Sequence, residues 1–419
     1  MSPDQTLAQA ITWLRTPAAI RARCHALLSL AERDALPHFA LDLSRLGPAA
    51  AFVADVTRRN YPDLAIPIHS RWRHFETGGI DRWRLMAAGL RQYDRAEIAR
   101  ARIDLCVVSV LLDAGAGAAW RYRESDSGLI LARSEGLAVA SVHAFRAGLF
   151  SSDPARPLQV DANGLAALTE TALAQAFQVT RENPLAALPG RVALMRNLGA
   201  ALRSIPLREG ALGSGNTNTR RPALLLDRLR AQAVAGRLPA ASILEAVLTA
   251  LAPIWPERLR LGGENLGDVW HHSLVGGKAP TAGLVPFHKL AQWLSYSLVE
   301  VMGDCGLAIS DLDGLTGLAE YRNGGLFLDA GVLRLRNPSL AENPLPVAHP
   351  AIVEWRALTV ALLDRLAAPV RACLGPSAAE LPLASILQGG TWAAGRELAQ
   401  RLRPDAAPPL RTLSDGTVF

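Results

Sequence analysis

The hydrophobic residues of this chain recur mainly at three- and four-residue spacings, which is the pattern of helices that bury one face. The pattern is clearest within 284–325. Between positions 287 and 302 the apolar residues share one face, and they are Leu290, Trp293, Leu294, Leu298, Val301 and Met302. A second face carries Lys289, Gln292, Tyr296 and Glu300. This stretch therefore predicts one long helix from about Phe287 to Met302, followed by a turn.

A short helix is predicted directly after that turn. Asp313 can act as its N-cap, because a short acceptor side chain satisfies free backbone N–H groups there. Asn323 and Gly324 can stop the helix after Arg322. The positions that would project to one side are Asp313, Thr316 or Gly317, and Glu320. We select Glu320 and Lys289 as the leading catalytic candidates, with Asp313 beside them.

Helical patterns alternate with polar breaks along the rest of the chain. The predicted helical stretches are 5–46 (with breaks), 48–60, 81–135, 145–150, 163–205, 223–234, 240–252, 350–373 and 383–402. Alanine and leucine dominate the composition, and both favour helix. The pattern predicts a mainly α fold with few short strands, organised as a single catalytic unit over residues 1–419. Two lobes are an open alternative, one of about 1–80 with the C-terminal part and one of 81–280.

The balance of charged residues limits the classes of ligand and partner that are expected. There are 44 Lys and Arg against 38 Asp and Glu, and the net charge of +6 suits an anionic ligand. No dense basic run with interleaved aromatic residues is present, so nucleic acid is not expected as a partner. Nearly every cation is arginine, and the lysines are Lys278 and Lys289. A lysine kept against this bias indicates a site that needs a compact ammonium, and a stray surface lysine is an equal alternative.

Further features bear on location and cofactors. The four cysteines are scattered and form no CxxC motif, and the sequence shows no signal-peptide pattern. No apolar run approaches the roughly 20 residues of a membrane span. These features predict a cytoplasmic protein that needs no membrane. No cofactor is expected, because the GAG at 115–117 follows a helical pattern and GSGNTNTRRP at 213–222 lacks GK[ST]. That loop is either a mobile lid or an inert insertion. A homodimer is an open alternative to a monomer.

Two irregular stretches carry candidate binding residues. Prolines 62 and 67 break the helical pattern before the first stretch, whose candidates are His69, Arg71, Trp72, Arg73, His74 and Glu76. Guanidinium and imidazole groups on irregular backbone suit the recognition of phosphate or hydroxyl groups. The alternative is that this stretch is a surface loop whose arginines are solvated. The second, Gly-rich stretch presents Glu264, Asp268, Trp270, His271 and His272. No metal site is expected there, because adjacent histidines cannot readily face one ion and no HExxH spacing occurs.

Glu320 and the nearby cations fit one kind of reaction. Cleavage of a C–N bond at a sugar carbon passes through an oxocarbenium-like state, which a carboxylate stabilises while it aligns or deprotonates water. A phosphate on the sugar would be held by Lys289 and some of Arg71, Arg73 and Arg322. From the residues alone, the alternative is an exposed Glu320 that is paired with Arg322 or with solvent.

Long runs of the chain resemble the uracil catabolism protein four family, and the resemblance covers almost the whole chain. The runs are HSRWRHFE (69–76), DLCVVSVLLDAGAGAAWRYRE (104–124), RSEGLAVASVHAFRAGLFSSDP (133–154) and GENLGDVWHH (263–272). The resemblance implies a role in a pathway that salvages uracil to its nucleotide, opens the ring and releases urea nitrogen. It also implies a pathway partner similar to GTP cyclohydrolase type two.

A more remote likeness bears on the chemistry. VPFHKLAQWL and DLDGLTGLAEYR are similar to stretches of the queuosine salvage proteins, which are nucleotide N-glycosidases with a helical fold similar to helix-hairpin-helix DNA glycosylases. The likeness implies such a fold here, with Glu320 at the position of their catalytic Asp and Lys289 at that of their Lys. It makes Tyr321, Arg322, Trp392 and Arg396 candidate substrate-binding residues. Ala393 replaces an acidic residue of those proteins, which agrees with a leaving group other than a deazapurine.

Together these points predict an N-ribosyl hydrolase of uracil catabolism that acts on a small phosphorylated nucleoside. Ribosylurea or its 5′-phosphate would give urea and ribose or ribose 5-phosphate. The proton for the urea nitrogen would come from His69, His74 or Glu76. Two alternatives stay open, namely an amidohydrolase or deaminase step on the ring-opened nucleotide, and a non-catalytic module that binds nucleic acid or protein.

Overall fold

The computed structural model describes residues 3–90, 92–205 and 220–413, and it is mainly helical, as predicted. The α-helices are Pro3–Leu14 (α1), Pro17–Glu32 (α2), Leu46–Asn60 (α3), Arg71–Phe75 (α4), Arg82–Ala87 (α5), Arg95–Leu111 (α6), Arg133–Arg146 (α7), Ala162–Ala167 (α8), Glu170–Ala176 (α9), Leu188–Ser204 (α10), Leu224–Gln232 (α11), Ala240–Ala250 (α12), Lys289–Asp304 (α13), Tyr321–Asp329 (α14), Pro350–Leu374 (α15), Leu383–Ile386 (α16) and Trp392–Leu402 (α17). A π-helical turn, Leu387–Thr391, joins the last two. None of the helices in these ranges is long and apolar enough to cross a membrane.

The strands are short and pair two by two within the described ranges. They are Phe39–Leu41 (β1), Tyr122–Arg123 (β2), Ile130–Leu131 (β3), Arg237–Pro239 (β4), Arg260–Leu261 (β5), Glu264–Asn265 (β6), Val269–His271 (β7), Leu284–Pro286 (β8), Ala308–Ser310 (β9), Leu333–Leu335 (β10), Leu345–Pro346 (β11) and Thr412–Leu413 (β12). The antiparallel pairs are β1–β10, β2–β3, β5–β6 and β7–β8, and the parallel pairs are β4–β9 and β11–β12.

The long helix predicted from 287 to 302 is α13, and it runs through the core. It packs against α6 and α12, and its polar residues Gln292 and Tyr296 are buried as well as its apolar face. Gln292 Nε2 donates to Thr316 Oγ1 at 2.6 Å, and the Tyr296 hydroxyl donates to the Thr316 carbonyl at 2.8 Å. These bonds pair the Gln292 amide N–H and the Tyr296 hydroxyl, which would be costly to bury alone. The core therefore fixes both the rotation and the position of α13.

The N-terminus of α13 is set by one buried carboxylate. Asp268 accepts a hydrogen bond of 2.9 Å from the Lys289 backbone N–H, and Arg356 donates two hydrogen bonds of 2.8 Å to the same carboxylate. His288, just before the helix, has a left-handed backbone with φ 47°. These contacts turn the chain sharply from β8 into the helix, so that Lys289 stands at its first position.

The short helix predicted from Asp313 to Arg322 is wrong in its bounds. Residues Leu312–Gly314 form a single 3-10 turn, and α14 begins at Tyr321, where the predicted helix was to end. The N-cap is Glu320, whose carboxylate binds the first free N–H groups of α14. Gly324 lies inside α14 rather than at a stop. A Cβ there would lie 2.7 Å from the Trp355 indole, so the close packing of that ring requires glycine. The helix predicted at 145–150 is also wrong, since α7 ends at Arg146 and a turn follows.

Candidate active site

A cavity of about 450 Å³ opens beside the N-terminal ends of α7, α13, α14 and α17. Its side-chain lining comes from segments spread over the whole chain, and it consists of His69, His74, Asp113, Arg133, Ser134, Lys289, Trp293, Leu318, Glu320, Tyr321, Trp392 and residues of 405–412, with Gly115–Ala118 and Pro344. The volume falls within the roughly 300–1,000 Å³ of sites for small ligands. It holds both leading catalytic candidates, Glu320 and Lys289.

Glu320 lies at the start of α14 with its carboxylate held by the backbone. Oε2 accepts from the Arg322 N–H at 2.9 Å, and Oε1 accepts from the Asn323 N–H at 2.6 Å. Burial raises the pKa of Glu320 above its usual value. The two N–H groups and the Lys289 ammonium offset part of that rise. A carboxylate oxygen has two lone pairs, so each oxygen keeps one for a ligand in the cavity.

Lys289 brings a cation to the same cavity. Burial lowers the pKa of the ammonium, and the carboxylates of Asp113 and Glu320 counteract that effect. An ammonium with a lowered pKa releases its proton more readily than a solvated lysine does. The cavity therefore holds a carboxylate that can stabilise positive charge and an ammonium that can give up a proton.

Asp113 is a cavity residue that the sequence analysis missed. Its Oδ2 accepts from the indole N–H of Trp293 at 3.0 Å, and its Oδ1 lies 2.7 Å from Nη1 of Arg71, whose side chain is fully buried. It follows the end of α6, within the run 104–124 that carries the family resemblance. That position, directly before a Gly-containing turn, is a signal that could have identified it.

Four aromatic rings of the cavity lining, those of His69, His74, Trp293 and Trp392, pack close to one another. The His69 ring centroid lies 4.5 Å from that of Trp293 and 6.3 Å from that of Trp392. The His74 ring lies 5.8 Å from Trp293 and 6.1 Å from Trp392. Burial lowers the pKa of His69 to about 3, and burial and the Arg71 charge lower the pKa of His74 to about 4. Both imidazoles are therefore neutral at pH 7.

Two further cationic side chains, Arg133 and Arg411, line the cavity, and neither is among the residues predicted from the sequence. Arg133 begins α7 with a left-handed backbone, φ 54°, and its Nη2 donates to the Asp405 carbonyl at 3.4 Å. Arg411 donates to the Glu342 carbonyl. Neither guanidinium forms an ion pair with a carboxylate of the residues described. Strained backbone at a non-glycine residue is typical of functional positions, and Arg133 opens the run 133–154 that carries the family resemblance.

The rest of the first candidate stretch faces away from the cavity. Arg71 lies behind it in the ion pair with Asp113, and Arg73 forms ion pairs with Glu300 at 2.8 Å and Glu76 at 3.2 Å. The Trp72 indole donates to the Ser297 carbonyl at 3.0 Å and is packed in the core. Arg71, Trp72, Arg73 and Glu76, which the sequence suggested as binding residues, are therefore not part of this lining, and other protein groups contact their side chains.

The remaining candidates also lie outside the cavity lining. Asp313 accepts from Arg371 Nη2 at 2.9 Å and from the Leu383 N–H at 2.6 Å, so its carboxylate is engaged elsewhere. The Trp270 indole donates to Asp268, and His271 is exposed. Arg322 and Arg396 support one cavity wall instead, since their guanidinium carbons lie 4.7 Å and 5.7 Å from the Trp392 ring centroid.

In the part of the chain that the structure describes, no group of three or more His, Cys, Asp or Glu is placed to hold a metal ion. The loop interpreted as a lid or an inert insertion, 213–222, falls largely outside the described residues, which resume at Arg220.

The chain is similar over almost its full length to one family model and to two named relatives. A family model described as "Protein of unknown function (DUF1688)" matches residues 13–419. "Protein urg3" of Schizosaccharomyces pombe is 40% identical over 408 residues, which cover 96% of this chain and 96% of that protein. "Uracil catabolism protein 4" of Lachancea kluyveri is 39% identical over 422 residues, which cover 91% of this chain and 92% of that protein.

Proposed function

The chain belongs to the DUF1688 family, and from this premise we propose that it is a hydrolase of uracil catabolism that cleaves an N-ribosidic bond. Its substrate would be a ring-opened pyrimidine nucleotide, ribosylurea or its 5′-phosphate, and its products urea and ribose or ribose 5-phosphate. The name of the Lachancea relative supports the pathway. The observation that carries the reaction is the Glu320 carboxylate and the Lys289 ammonium in one ligand-sized cavity.

The reaction breaks the bond between the sugar C1′ and a urea nitrogen. The bonding electron pair leaves with the nitrogen, and positive charge develops on C1′ and the ring oxygen. Glu320, with a free lone pair on each oxygen, stabilises that charge and takes a proton from the water that attacks C1′. Carboxylates in such positions contribute by both electrostatic stabilisation and base catalysis.

The departing urea nitrogen must gain a proton, and Lys289 is the donor we assign. Glu76 lies outside the cavity lining, and the low pKa values of His69 and His74 leave both rings neutral at pH 7, so neither carries the acidic proton of an imidazolium. Burial lowers the pKa of the Lys289 ammonium, which makes it a better acid. Glu320 then returns to Lys289 the proton that it took from water, and the cycle balances.

The sugar phosphate would bind to Arg133 and Arg411. These two replace Arg71 and Arg73, which are engaged by Asp113, Glu300 and Glu76. Arginine forks suit phosphate oxygens. The phosphate would then lie on the side of the cavity formed by the start of α7 and the C-terminal segment.

The test is to incubate the purified protein with ribosylurea and with its 5′-phosphate and to measure urea, reducing sugar and ammonia. We expect urea and reducing sugar to rise in equal amounts, faster from the 5′-phosphate. Ammonia in place of urea would overturn the proposal in favour of an amidohydrolase or deaminase. No product from either compound, together with salt-sensitive binding of RNA or DNA, would favour a binding module.

A further inference from the structure

His69 and His74 both line the cavity, and the groups behind them decide which ring nitrogen of each carries the proton. A neutral imidazole has one N–H donor and one nitrogen acceptor, and the partner of one nitrogen fixes the role of the other. In both rings the partner lies at Nδ1, so the question is what each Nε2 presents to a ligand.

The tautomer of His74 is set by Arg71. Nη1 of Arg71 lies 3.2 Å from Nδ1 of His74. A guanidinium can only donate, so Nδ1 must accept and the proton must lie on Nε2. Arg71 is itself held by Ser109 Oγ at 2.9 Å and the Ser134 carbonyl at 3.0 Å, as well as by Asp113. His74 Nε2 is therefore a hydrogen-bond donor.

The tautomer of His69 is the opposite one. Its Nδ1 lies 2.9 Å from Oε1 of Gln388, and Nε2 of Gln388 donates to the Tyr61 hydroxyl at 3.0 Å. Because the amide oxygen can only accept, Nδ1 of His69 carries the proton and Nε2 is left as an acceptor. Gln388 lies in the π-helical turn Leu387–Thr391, and such turns are frequent at functional sites.

The two rings thus present different hydrogen-bonding groups to the cavity, a donor at His74 Nε2 and an acceptor at His69 Nε2. Their centroids lie 6.4 Å apart, and both are close to Trp293 and Trp392. Neither Nε2 has a hydrogen-bond partner among the residues described, and both side chains are part of the lining. A ureido group needs a donor for its carbonyl and an acceptor for its N–H.

We propose that His69 and His74 form a neutral acceptor–donor pair that recognises the ureido group of the substrate. His74 Nε2–H would bind the ureido carbonyl, and His69 Nε2 would accept a hydrogen bond from an N–H. This inference rests on the proposed function and names how the leaving group is selected. Because burial lowers the pKa of both rings, neither would change its role by protonation at pH 7.

The first test is the NMR spectrum of the ¹⁵N-histidine-labelled full chain at pH 7, in which long-range couplings identify the protonated nitrogen. His288 supplies an internal standard, because its Nε2 lies 2.9 Å from the Leu14 carbonyl and must carry the proton. We expect His74 to match His288 and His69 to show the Nδ1–H pattern. His69→Gln and His74→Gln assign the signals. A protonated Nε2 in His69, or a protonated Nδ1 in His74, would overturn the proposal.

The second test adds urea, or tetramethylurea as a probe that keeps the carbonyl but has no N–H, with ribose 5-phosphate present. We expect urea to shift the Nε2 signals of both rings and tetramethylurea to leave His69 unchanged. An unmade hydrogen bond of this kind weakens binding by about tenfold. Equal shifts by both compounds, or none with urea, would overturn the pairing.

The outcomes separate the pairing from the proposed function. If urea shifts both rings and no ribosylurea compound is cleaved, the recognition stands and the proposed hydrolysis fails. If urea is released from substrate while the tautomers are reversed, the hydrolysis stands and the pairing is overturned.

Discussion

Oδ1 of Asp113 lies 2.7 Å from Nη1 of Arg71, in an ion pair that forms the back of the cavity and leaves the arginine side chain with no solvent exposure. Removal of one partner leaves a buried charge without compensation, which costs on the order of 3–5 kcal/mol. Asp113→Asn should therefore lower the free energy of unfolding in guanidinium chloride by about that much. Asp126→Asn is the control, since its pair with Arg146 is half-exposed and should contribute less than about 1 kcal/mol. Equal losses in the two variants would contradict the prediction.

Glu320→Gln should abolish most activity. We expect the rate of urea release to fall by about 10²–10⁴-fold, because the variant loses both the negative charge and the base. Weaker capping of α14 should cost about 1 kcal/mol of stability. Asp161→Asn is a matched control, because Asp161 caps α8 through the Asn163 and Gly164 N–H groups and is buried away from the cavity. Comparable rates for the two variants would exclude a catalytic Glu320.

Lys289 should produce an alkaline limb in the pH profile. Burial lowers its pKa below the usual 10.5, so the ammonium loses its proton as the pH rises through that lowered value. We therefore expect kcat/KM for urea release to fall at a midpoint below pH 10.5. In Lys289→Arg, whose guanidinium keeps its proton above pH 12, the residual activity should lack this limb. A limb at the same pH in that variant would assign the titration to another group.

His74 should make the protein sensitive to acid. Its pKa is about 4 in the folded protein, because of burial and Arg71, against 6.5 as the ordinary value. The unfolded chain thus binds more protons between these values, so stability is complete above pH 6.5 and is lost as the pH falls toward 4. The loss should be on the order of 1–3 kcal/mol. Guanidinium chloride unfolding between pH 4 and 7 should show a smaller slope in His74→Gln, and an unchanged slope would contradict the assignment.

Arg133 should matter only for a phosphorylated substrate. Arg133→Gln removes one guanidinium from the cavity, so KM for ribosylurea 5′-phosphate should rise by about tenfold or more. The kcat/KM for unphosphorylated ribosylurea should stay within about twofold. Arg146→Gln is the control, since Arg146 ends the same helix and pairs with Asp126 away from the cavity. Equal changes for both substrates would show that Arg133 does not bind phosphate.

The helical architecture was predictable because its signal is local. Apolar residues three and four positions apart bury one side of a helix wherever that helix packs, and α13 lies within two residues of its predicted bounds. The next helix was misplaced because the sequence offers more than one acceptor that could begin it. The Asp313 carboxylate binds Arg371 and the Leu383 N–H and caps no helix, whereas Glu320 caps α14. Which acceptor stays available depends on residues far away in the chain.

The sequence alone predicted the mainly α fold and the family correctly, and it selected Glu320 and Lys289 as the catalytic candidates. Only the tertiary structure decided which groups join them in one cavity. Arg71 and Arg73 looked equally suited to a phosphate, yet Asp113, Glu300 and Glu76 neutralise them. The physical reason is that a charged side chain is less available to a ligand when the fold brings an opposite charge within ion-pair distance. That condition depends on contacts between distant segments, which no local pattern encodes.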